Sequence, residues 1–252
     1  MTVSLYYYLL YIWIGIAIIA FPFLLKITQP YGRHSSTSFG PMIDNRLGWM
    51  IQEGVAPFFM LFWYLQGSLE KTLLSQIFVS IYVAHYIYRG FIFPMRLKTK
   101  GKKMPLAICL SAVFFNFCNT FFLGYYLGNI GGNYSNDYLF SFPFLFGGLI
   151  FLVGLIINHT SDNILINLRT SSETGYKIPT GFLFKYVSCP NHFGEIVQWL
   201  GFAIMLNHLV GWSFFIWTAV NLIPRTLDHH KWYKGKFENY PKERKAVIPF
   251  VL

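Results

Sequence analysis

The chain has 252 residues, of which 54% are hydrophobic, 20% are aromatic and only 12% are charged. Soluble globular proteins average about 25% charged residues, so this composition excludes the soluble, disordered and collagen-like classes. The mean hydropathy is +0.44, and apolar blocks of membrane-spanning length, about 20 residues, recur along the whole chain. We therefore predict an all-α polytopic membrane protein.

The apolar blocks fall near residues 4–25, 47–66, 72–94, 105–128, 138–158 and 194–223. The last block is too long for one crossing, and its middle contains Asn207, His208, Gly211 and Trp212. Two short helices joined by a tight turn are predicted there, which gives about seven transmembrane helices. No repeat or linker divides the chain, so residues 1–252 are predicted to form a single integral-membrane domain.

The formal net charge is +10, and the positions of the basic residues explain it. All 20 lysines and arginines except Lys71 lie in or beside the first, third and fifth connections and the C-terminal tail. Basic loops stay on the cytoplasmic side, so we expect a non-cytoplasmic N-terminus and a cytoplasmic C-terminus. The expected membrane is the endoplasmic reticulum in a eukaryote or the inner membrane in a bacterium. No nucleic-acid partner is needed to explain the charge, although the basic face can receive a polyanionic ligand.

Glu53 lies within the second predicted span, where an ionisable side chain indicates function because its burial is costly. Trp49 shares its helical stripe, and Gln52 directly precedes it. Interhelical hydrogen bonding is the favoured explanation for Gln52 alone, and for Asn116 and Asn119 in the fourth span. For the Glu53 carboxyl group we favour a functional role.

Polar side chains also recur at helical spacing in the third predicted span. Tyr82, His85, Tyr86 and Arg89 share one helix face, which therefore presents two phenols, an imidazole and a guanidinium. This face is expected to lie opposite Glu53. Interhelical hydrogen bonding is the alternative explanation for these side chains.

Asn158, Asp162 and Arg169 leave the fifth predicted span on one helical face. Such side chains at a membrane boundary can hold a carboxamide, a ribose or a phosphate. The alternative is a helix-end network in which Asp162 caps a helix. The polar stretches 159–193 and 224–252 are predicted to be long loops, and long loops usually carry function.

Several cofactor and metal signatures are absent from the sequence. It contains neither a Gly-x-Gly-x-x-Gly motif after a strand nor a Gly-x-x-x-x-Gly-Lys-Ser/Thr loop. Only His229 and His230 are adjacent among the seven histidines, and no pair shows a three- or four-residue metal-ligand spacing. We expect no bound metal, and a cofactor held in an unusual arrangement at the membrane face.

The C-terminal half resembles the steroid 5-alpha-reductase family over nearly half of the chain. The similar segments are NHTSDNILINLR (158–169), GYKIPTGFLFKYVS (175–188), PNHFGEIVQWLGFA (190–203), NLIPRTLDHHKWY (221–233) and YPKERKAVIPF (240–250). The N-terminal half is similar at two shorter segments, WMIQE (49–53) and HYIYR (85–89). The family fold is seven transmembrane helices, the number predicted above from hydropathy and charge.

The resemblance implies an NADPH-dependent reductase of the 4,5 double bond in a 3-oxo-delta-4 steroid. It implies that Glu53 and Tyr86 contact the 3-keto oxygen as catalytic residues, with Trp49 and Gln52 completing the substrate site. The implied cofactor-binding residues are Arg89, Asn158, Asp162, Arg169, Tyr176, Lys177, Asn191, Glu195, Arg225, His229 and Tyr233. Lys177 stands where the animal enzymes have an arginine, and it supplies charge without a planar fork.

The implied chemistry suits these residue types. Hydride addition at C5 of an enone drives charge onto the ketone oxygen, so catalysis needs a donor aimed at a developing enolate. Tyr86 can donate its phenol proton there, and a helix interior favours the protonated, donating form of Glu53. The expected partners are a steroid or sterol that arrives from the lipid phase, and the membrane lipids themselves.

Three other functions remain open from the sequence. A related membrane reductase acting on an enoyl thioester or a polyprenol would share the C-terminal motifs. A membrane methyltransferase using S-adenosylmethionine would leave the basic residues without a phosphate to bind. A transporter or lipid-binding protein would line a path across the bilayer, whereas Glu53, Tyr86, Asn158 and Asn191 are expected toward the cytoplasmic half.

Overall fold

A computed structural model describes residues 1–30, 32–98, 101–131, 134–168, 170 and 175–252. This part of the chain contains eight α-helices, seven of them long. They are α1 (Val3–Leu24), α2 (Asn45–Leu65), α3 (Leu73–Ile87), α4 (Phe93–Arg96), α5 (Leu106–Asn129), α6 (Phe142–Asn167), α7 (Pro190–Leu206) and α8 (Leu209–Lys236). Two short antiparallel strands, β1 (Met42–Asp44) and β2 (Lys103–Pro105), pair before α2 and α5. The all-α prediction is confirmed.

Within the described ranges, four helical segments are long and apolar enough to cross a membrane. They are Val3–Leu24, Leu73–Arg96, Leu106–Asn129 and Phe142–Asn167. The other long helices, α2, α7 and α8, contain polar side chains that the protein buries, such as Gln52, Gln198 and Thr226. Buried polar groups lower the mean hydropathy of a helix without being exposed to lipid.

The tight turn predicted within the last apolar block lies at Asn207 and His208, between α7 and α8. Asn207 is left-handed, with φ 48° and ψ 41°, a conformation that asparagine adopts more readily than most residues. His208 then caps α8, because its Nδ1 accepts a hydrogen bond of 3.3 Å from the backbone N–H of Val210. The prediction of two helices in this block is confirmed.

Two helices run further than the hydropathy pattern predicted. Helix α6 continues to Asn167, so residues 159–167 are helical rather than loop, and Asp162 lies inside a helix instead of capping one. Helix α8 continues to Lys236, so residues 224–236 are helical as well. Hydropathy shows where an apolar stretch ends, whereas a helix can continue with polar residues beyond that point.

The third predicted span is not a continuous α-helix. A π-helical turn, Tyr88–Ile92, separates α3 from α4, and the N–H of Phe93 donates to the carbonyl of Tyr88, five residues earlier. Pro94 has no N–H to donate to the carbonyl of Gly90, so the regular α-helical pattern is lost at this point. Such single π turns occur frequently at functional sites.

The chain forms two compact units, of which the first comprises residues 1–10 and 29–141. In this unit, glycines on α5 bring α2 and α5 close together. A Cβ at Gly124 would lie 2.9 Å from that of Trp63, and one at Gly128 would lie 2.7 Å from the carbonyl oxygen of Tyr64. Small residues of this kind allow two membrane helices to pack backbone to backbone.

The second unit comprises residues 11–28 and 142–252. Its centre is the pair α6 and α7, which is packed through two glycines on each helix. Gly147 and Gly154 on α6 lie against the backbone of α7, and Gly194 and Gly201 on α7 lie against the backbone of α6. The paired glycines are two helical turns apart on each helix, so they form one continuous line of close approach.

Candidate active site

In the first unit, α2 carries three of the predicted substrate residues within little more than one turn. Asp44 fixes the start of the helix, because its Oδ1 accepts from the N–H groups of Arg46 and Leu47 at 2.9 and 3.1 Å. Further along, Gln52 Nε2 donates to Glu53 Oε1 at 3.3 Å. Glu53 is half-buried and Gln52 is buried.

Helix α3 contributes two phenol rings that contact each other in the first unit. The rings of Tyr82 and Tyr86 have centroids 4.6 Å apart, and both side chains are buried. His85 meets Tyr86 edge to face at 5.2 Å. Glu53 interacts electrostatically with the Tyr82 hydroxyl. The structure therefore brings the predicted carboxyl group and the predicted phenol face of α3 together.

The π-helical turn directs Arg89 toward α2. Its guanidinium carbon lies 5.6 Å from the ring centroid of Trp49 and 4.5 Å from that of Phe93. A Cβ at Gly90 would lie 2.7 Å from the Cα of Gly54, so the π turn and α2 are in direct backbone contact beside Glu53. Arg89, predicted as a cofactor residue, thus lies among the predicted substrate residues of the first unit.

In the second unit, α6 and α7 hold the predicted amide and carboxyl groups. Asn158 Nδ2 donates to the backbone carbonyl of Asn191 at 2.9 Å. Asn158 and Asp162, one turn apart, are 1% and 2% exposed. Glu195 follows Asn191 by one turn of α7 and is half-buried. Arg169, the third member of the predicted α6 face, lies outside the described residues.

Two histidines meet between α7 and α8. Thr226 Oγ1 donates to the carbonyl of Leu222 at 2.7 Å, so its single proton is used and it accepts from His192 Nδ1, also at 2.7 Å. The ring of His192 lies 5.7 Å from that of His229. One turn before His229, burial lowers the pKa of Arg225 to about 10. His192 had no predicted role, because its contacts are visible only once α7 and α8 are paired.

Aromatic rings pack at the end of α8. Tyr176 meets Trp232 edge to face at 4.8 Å, and the buried ring of Tyr233 stacks on Tyr240 at 5.4 Å and 11°. Lys177, next to Tyr176, is exposed. These rings bring the segment after residue 175 and the C-terminal segment onto one end of α8.

Arg244 was missed by the sequence analysis. The side chain is only 6% exposed, and its guanidinium carbon lies 5.2 Å from the ring centroid of Tyr240. Among the described residues, its Nε and Nη1 groups are buried without a hydrogen-bond partner. The one signal in the sequence was that Arg244 lies within the C-terminal segment that resembles the family, residues 240–250, where it is one of several basic residues.

The second unit also has the chemistry to hold a dinucleotide. Within the described ranges, Asn158 Oδ1 and Ser161 Oγ are buried without a hydrogen-bond partner, like the two donors of Arg244. A phosphate oxygen would accept from the Arg244 donors, and a carboxamide or ribose hydroxyl would donate to Asn158. The residues present therefore fit a cofactor such as NADPH. The described ranges contain no group of three or more His, Cys, Asp or Glu side chains that could hold a metal ion.

Comparison with known proteins gives a consistent result. A family model described as 3-oxo-5-alpha-steroid 4-dehydrogenase matches residues 102–252. The chain is 36% identical over 252 residues to a steroid 5-alpha-reductase of Gossypium hirsutum, covering 98% of both chains. It is 36% identical over 248 residues to 3-oxo-5-alpha-steroid 4-dehydrogenase 1 of Bos taurus, covering 97% of this chain and 96% of that one. The chain therefore belongs to the steroid 5-alpha-reductase, or 3-oxo-5-alpha-steroid 4-dehydrogenase, family of oxidoreductases that act on CH–CH groups.

Proposed function

We propose that the protein reduces the 4,5 double bond of a 3-oxo-delta-4 steroid to give a 5-alpha-3-oxosteroid. The names of its relatives, steroid 5-alpha-reductase and 3-oxo-5-alpha-steroid 4-dehydrogenase, support this reaction. The observation that carries the proposal is the grouping of the Glu53 carboxyl group with the neighbouring phenols of Tyr82 and Tyr86. In this proposal residues 1–104 supply mainly the substrate side, and residues 105–252 mainly the cofactor side.

The reaction needs hydrogen-bond donors at the 3-keto oxygen. Hydride addition at C5 pushes electrons through the enone onto this oxygen, and the resulting enolate then takes a proton at C4. Tyr86 donates its hydroxyl proton toward the oxygen and stabilises the developing charge, and a protonated Glu53 supplies a second donor. Loss of one such donor typically lowers the rate by about 10²–10³.

Gln52 fits the role of orienting the carboxyl group. Its Nε2 donates to Glu53 Oε1 at 3.3 Å, so Oε1 acts as the acceptor and the proton of a neutral carboxyl group lies on Oε2. The Oε2–H group is then on the carboxyl oxygen that does not accept from Gln52, and it is the proposed donor to the ketone. Trp49, which lies under the Arg89 guanidinium, supplies an apolar ring surface suited to a steroid.

NADPH is the proposed reductant, and when bound it supplies the hydride. Asn158, Asp162 and Asn191 would bind its polar groups by hydrogen bonds, and Arg225 and Arg244 would balance its phosphate charge. The other proposed contacts are Arg89, Arg169, Tyr176, Lys177, Glu195, His229 and Tyr233. The steroid would enter from the lipid phase, and the basic, NADPH-binding face would be cytoplasmic.

The proposal is tested by following NADPH consumption with the purified protein and a delta-4-3-ketosteroid. We expect the near-ultraviolet absorbance of NADPH to fall with the wild type, and the rate to drop at least about 10²-fold in Glu53→Gln and in Tyr86→Phe. Glu70→Gln and Tyr8→Phe are matched controls, because both residues are exposed. Wild-type rates in both site variants would remove Glu53 and Tyr86 from the mechanism. If the wild type did not reduce the ketosteroid but did reduce an enoyl thioester, the substrate would have to be reassigned.

A further inference from the structure

The turn of α2 that carries Glu53 lacks a regular helical hydrogen bond. Pro57 lies inside α2, four residues after Glu53. In a regular α-helix the N–H of residue 57 would donate to the carbonyl of residue 53, but proline has no N–H. The backbone at Glu53 is therefore less constrained by its own helix than the rest of α2, and its position depends more on what packs against it.

Helix α5 supplies the missing constraint on one side. Asn116 Nδ2 donates to the backbone carbonyl of Gln52 at 2.6 Å, and Asn116 is only 3% exposed. Two turns earlier on the same face of α5, Cys109 Sγ donates to the carbonyl of Gly48 at 3.4 Å. The two accepting carbonyls are one turn apart on α2. Side chains of α5 thus bind α2 from the residue before Glu53 back toward the start of the helix.

The π-helical turn constrains the other side of the same segment. A Cβ at Gly54 would lie 3.0 Å from the edge of the Phe91 ring, and one at Gly90 would lie 2.7 Å from the backbone nitrogen of Gly54. Asn116 and the π turn thus contact the residues immediately before and after Glu53. We therefore expect a change on the α5 side to shift the Glu53 carboxyl group relative to Tyr86 on α3.

We propose that Asn116 is a positioning residue for the Glu53–Tyr86 pair, acting through the carbonyl of Gln52. The inference rests on the proposed function, in which that pair polarises the steroid ketone. Misplacement of a reacting group by about 1 Å costs about 10²-fold in rate. We expect Asn116→Leu to lower kcat for the steroid by about 10- to 100-fold, with the KM for NADPH unchanged.

The control is Thr120→Val, one turn further along α5. Thr120 is fully buried, and among the described residues its hydroxyl bonds only to carbonyls of its own helix, those of Asn116 and Phe117. Thr120→Val therefore removes a buried polar group from α5 but keeps the hydrogen bond from Asn116 to α2. We expect Thr120→Val to keep kcat within about twofold, and similar kcat losses in both variants would overturn the positioning role.

Asn116→Asp separates positioning from folding. This substitution keeps the shape but donates to the Gln52 carbonyl only when its carboxyl group is protonated. Its kcat relative to wild type should therefore rise as the pH falls, whereas the ratio for Asn116→Leu should stay constant. A flat ratio for the aspartate variant would contradict the proposal.

A double-mutant cycle tests whether Asn116 acts through Glu53. If it does, Asn116→Leu should cause no further loss of rate in a Glu53→Ala background. The same 10- to 100-fold loss in both backgrounds would mean that Asn116 acts independently, and the inference would fail. Wild-type activity of Glu53→Ala alone would instead refute the proposed function, so the two failures are distinguishable.

Discussion

Gly194 on α7 packs directly against the backbone of Asn158 on α6, so closely that a Cβ at residue 194 would overlap the backbone nitrogen of Asn158. This approach allows the Asn158 side chain to reach the carbonyl of Asn191. We predict that Gly194→Ala lowers the free energy of unfolding by about 1–3 kcal/mol through overpacking, and raises the KM for NADPH. Thermal unfolding in detergent and steady-state kinetics check both effects.

Gly235→Ala is the matched control for this change. Gly235 lies near the end of α8, where an added Cβ would meet nothing within 4 Å. Alanine favours an open helical position by up to about 1 kcal/mol, so this variant should be as stable as wild type or more so. Equal destabilisation of the two variants would show that close helix packing at Gly194 is not the cause.

Arg244 is predicted to bind the cofactor phosphates. Arg244→Met should raise the KM for NADPH about 10- to 100-fold with a smaller effect on kcat, because hydrogen bonds to charged groups contribute about 1.5–3 kcal/mol. The exposed Lys242, two residues earlier, provides the control in Lys242→Met. If the Arg244 variant bound NADPH with wild-type affinity in a direct titration, its buried guanidinium would have to be assigned a purely structural role.

Ser188 is predicted to fasten the C-terminal segment to α8. Its Oγ lies 2.6 Å from both the Tyr240 hydroxyl and His230 Nδ1. Ser188→Ala leaves buried polar groups without a partner, so the free energy of unfolding should fall by about 1–3 kcal/mol. Ser111→Ala, which removes an exposed hydroxyl bonded within its own helix, should change stability little. An unchanged midpoint for Ser188→Ala would be inconsistent with this role.

The same cluster predicts a pH dependence of stability. Burial, followed by Lys234 and Lys245, lowers the pKa of His230 below its ordinary value. As the pH falls through about 6.5, this histidine is therefore protonated in the unfolded chain before it is protonated in the folded protein. The contribution of neutral His230 to the free energy of unfolding is present above that pH and is progressively lost below it.

His230→Asn keeps a side chain that can hydrogen-bond at this position and removes the titration. The fall in unfolding midpoint between about pH 7.5 and about pH 5.5 should therefore be smaller in the variant than in wild type. An identical fall in the two proteins would show that His230 does not titrate in this range, and that other groups set the acid sensitivity.

Hydropathy and charge predicted the number and order of the long helices because lipid exposure requires long apolar stretches. They did not predict the ends of α6 and α8, where the helices continue with polar residues. The π turn was also not predicted. It arises where Pro94 has no N–H to donate to the carbonyl of Gly90, and this leaves no periodic pattern in the sequence.

The candidate site was predicted unevenly for a similar reason. Glu53 and Tyr86 could be proposed from the sequence because polar groups in an apolar span are conspicuous on their own helices. Arg244 was not singled out, and Asn116 was predicted only to form an interhelical hydrogen bond. Their contacts, with Tyr240 and with the carbonyl of Gln52, are visible only in the folded structure. Long-range contacts of this kind leave no local signal.

The carbon that receives the hydride, and the face on which it is added, test the proposed reaction. The protein is incubated with NADPH deuterated on its transferable nicotinamide hydrogen and a delta-4-3-ketosteroid, and the product is analysed by mass spectrometry and NMR. We predict one deuterium at C5 in the alpha configuration with wild-type protein, and at least about 10²-fold slower labelling in Glu53→Gln and Tyr86→Phe. Labelling at another carbon, or equal labelling rates in all three proteins, would contradict the proposed reaction and the proposed role of Glu53 and Tyr86.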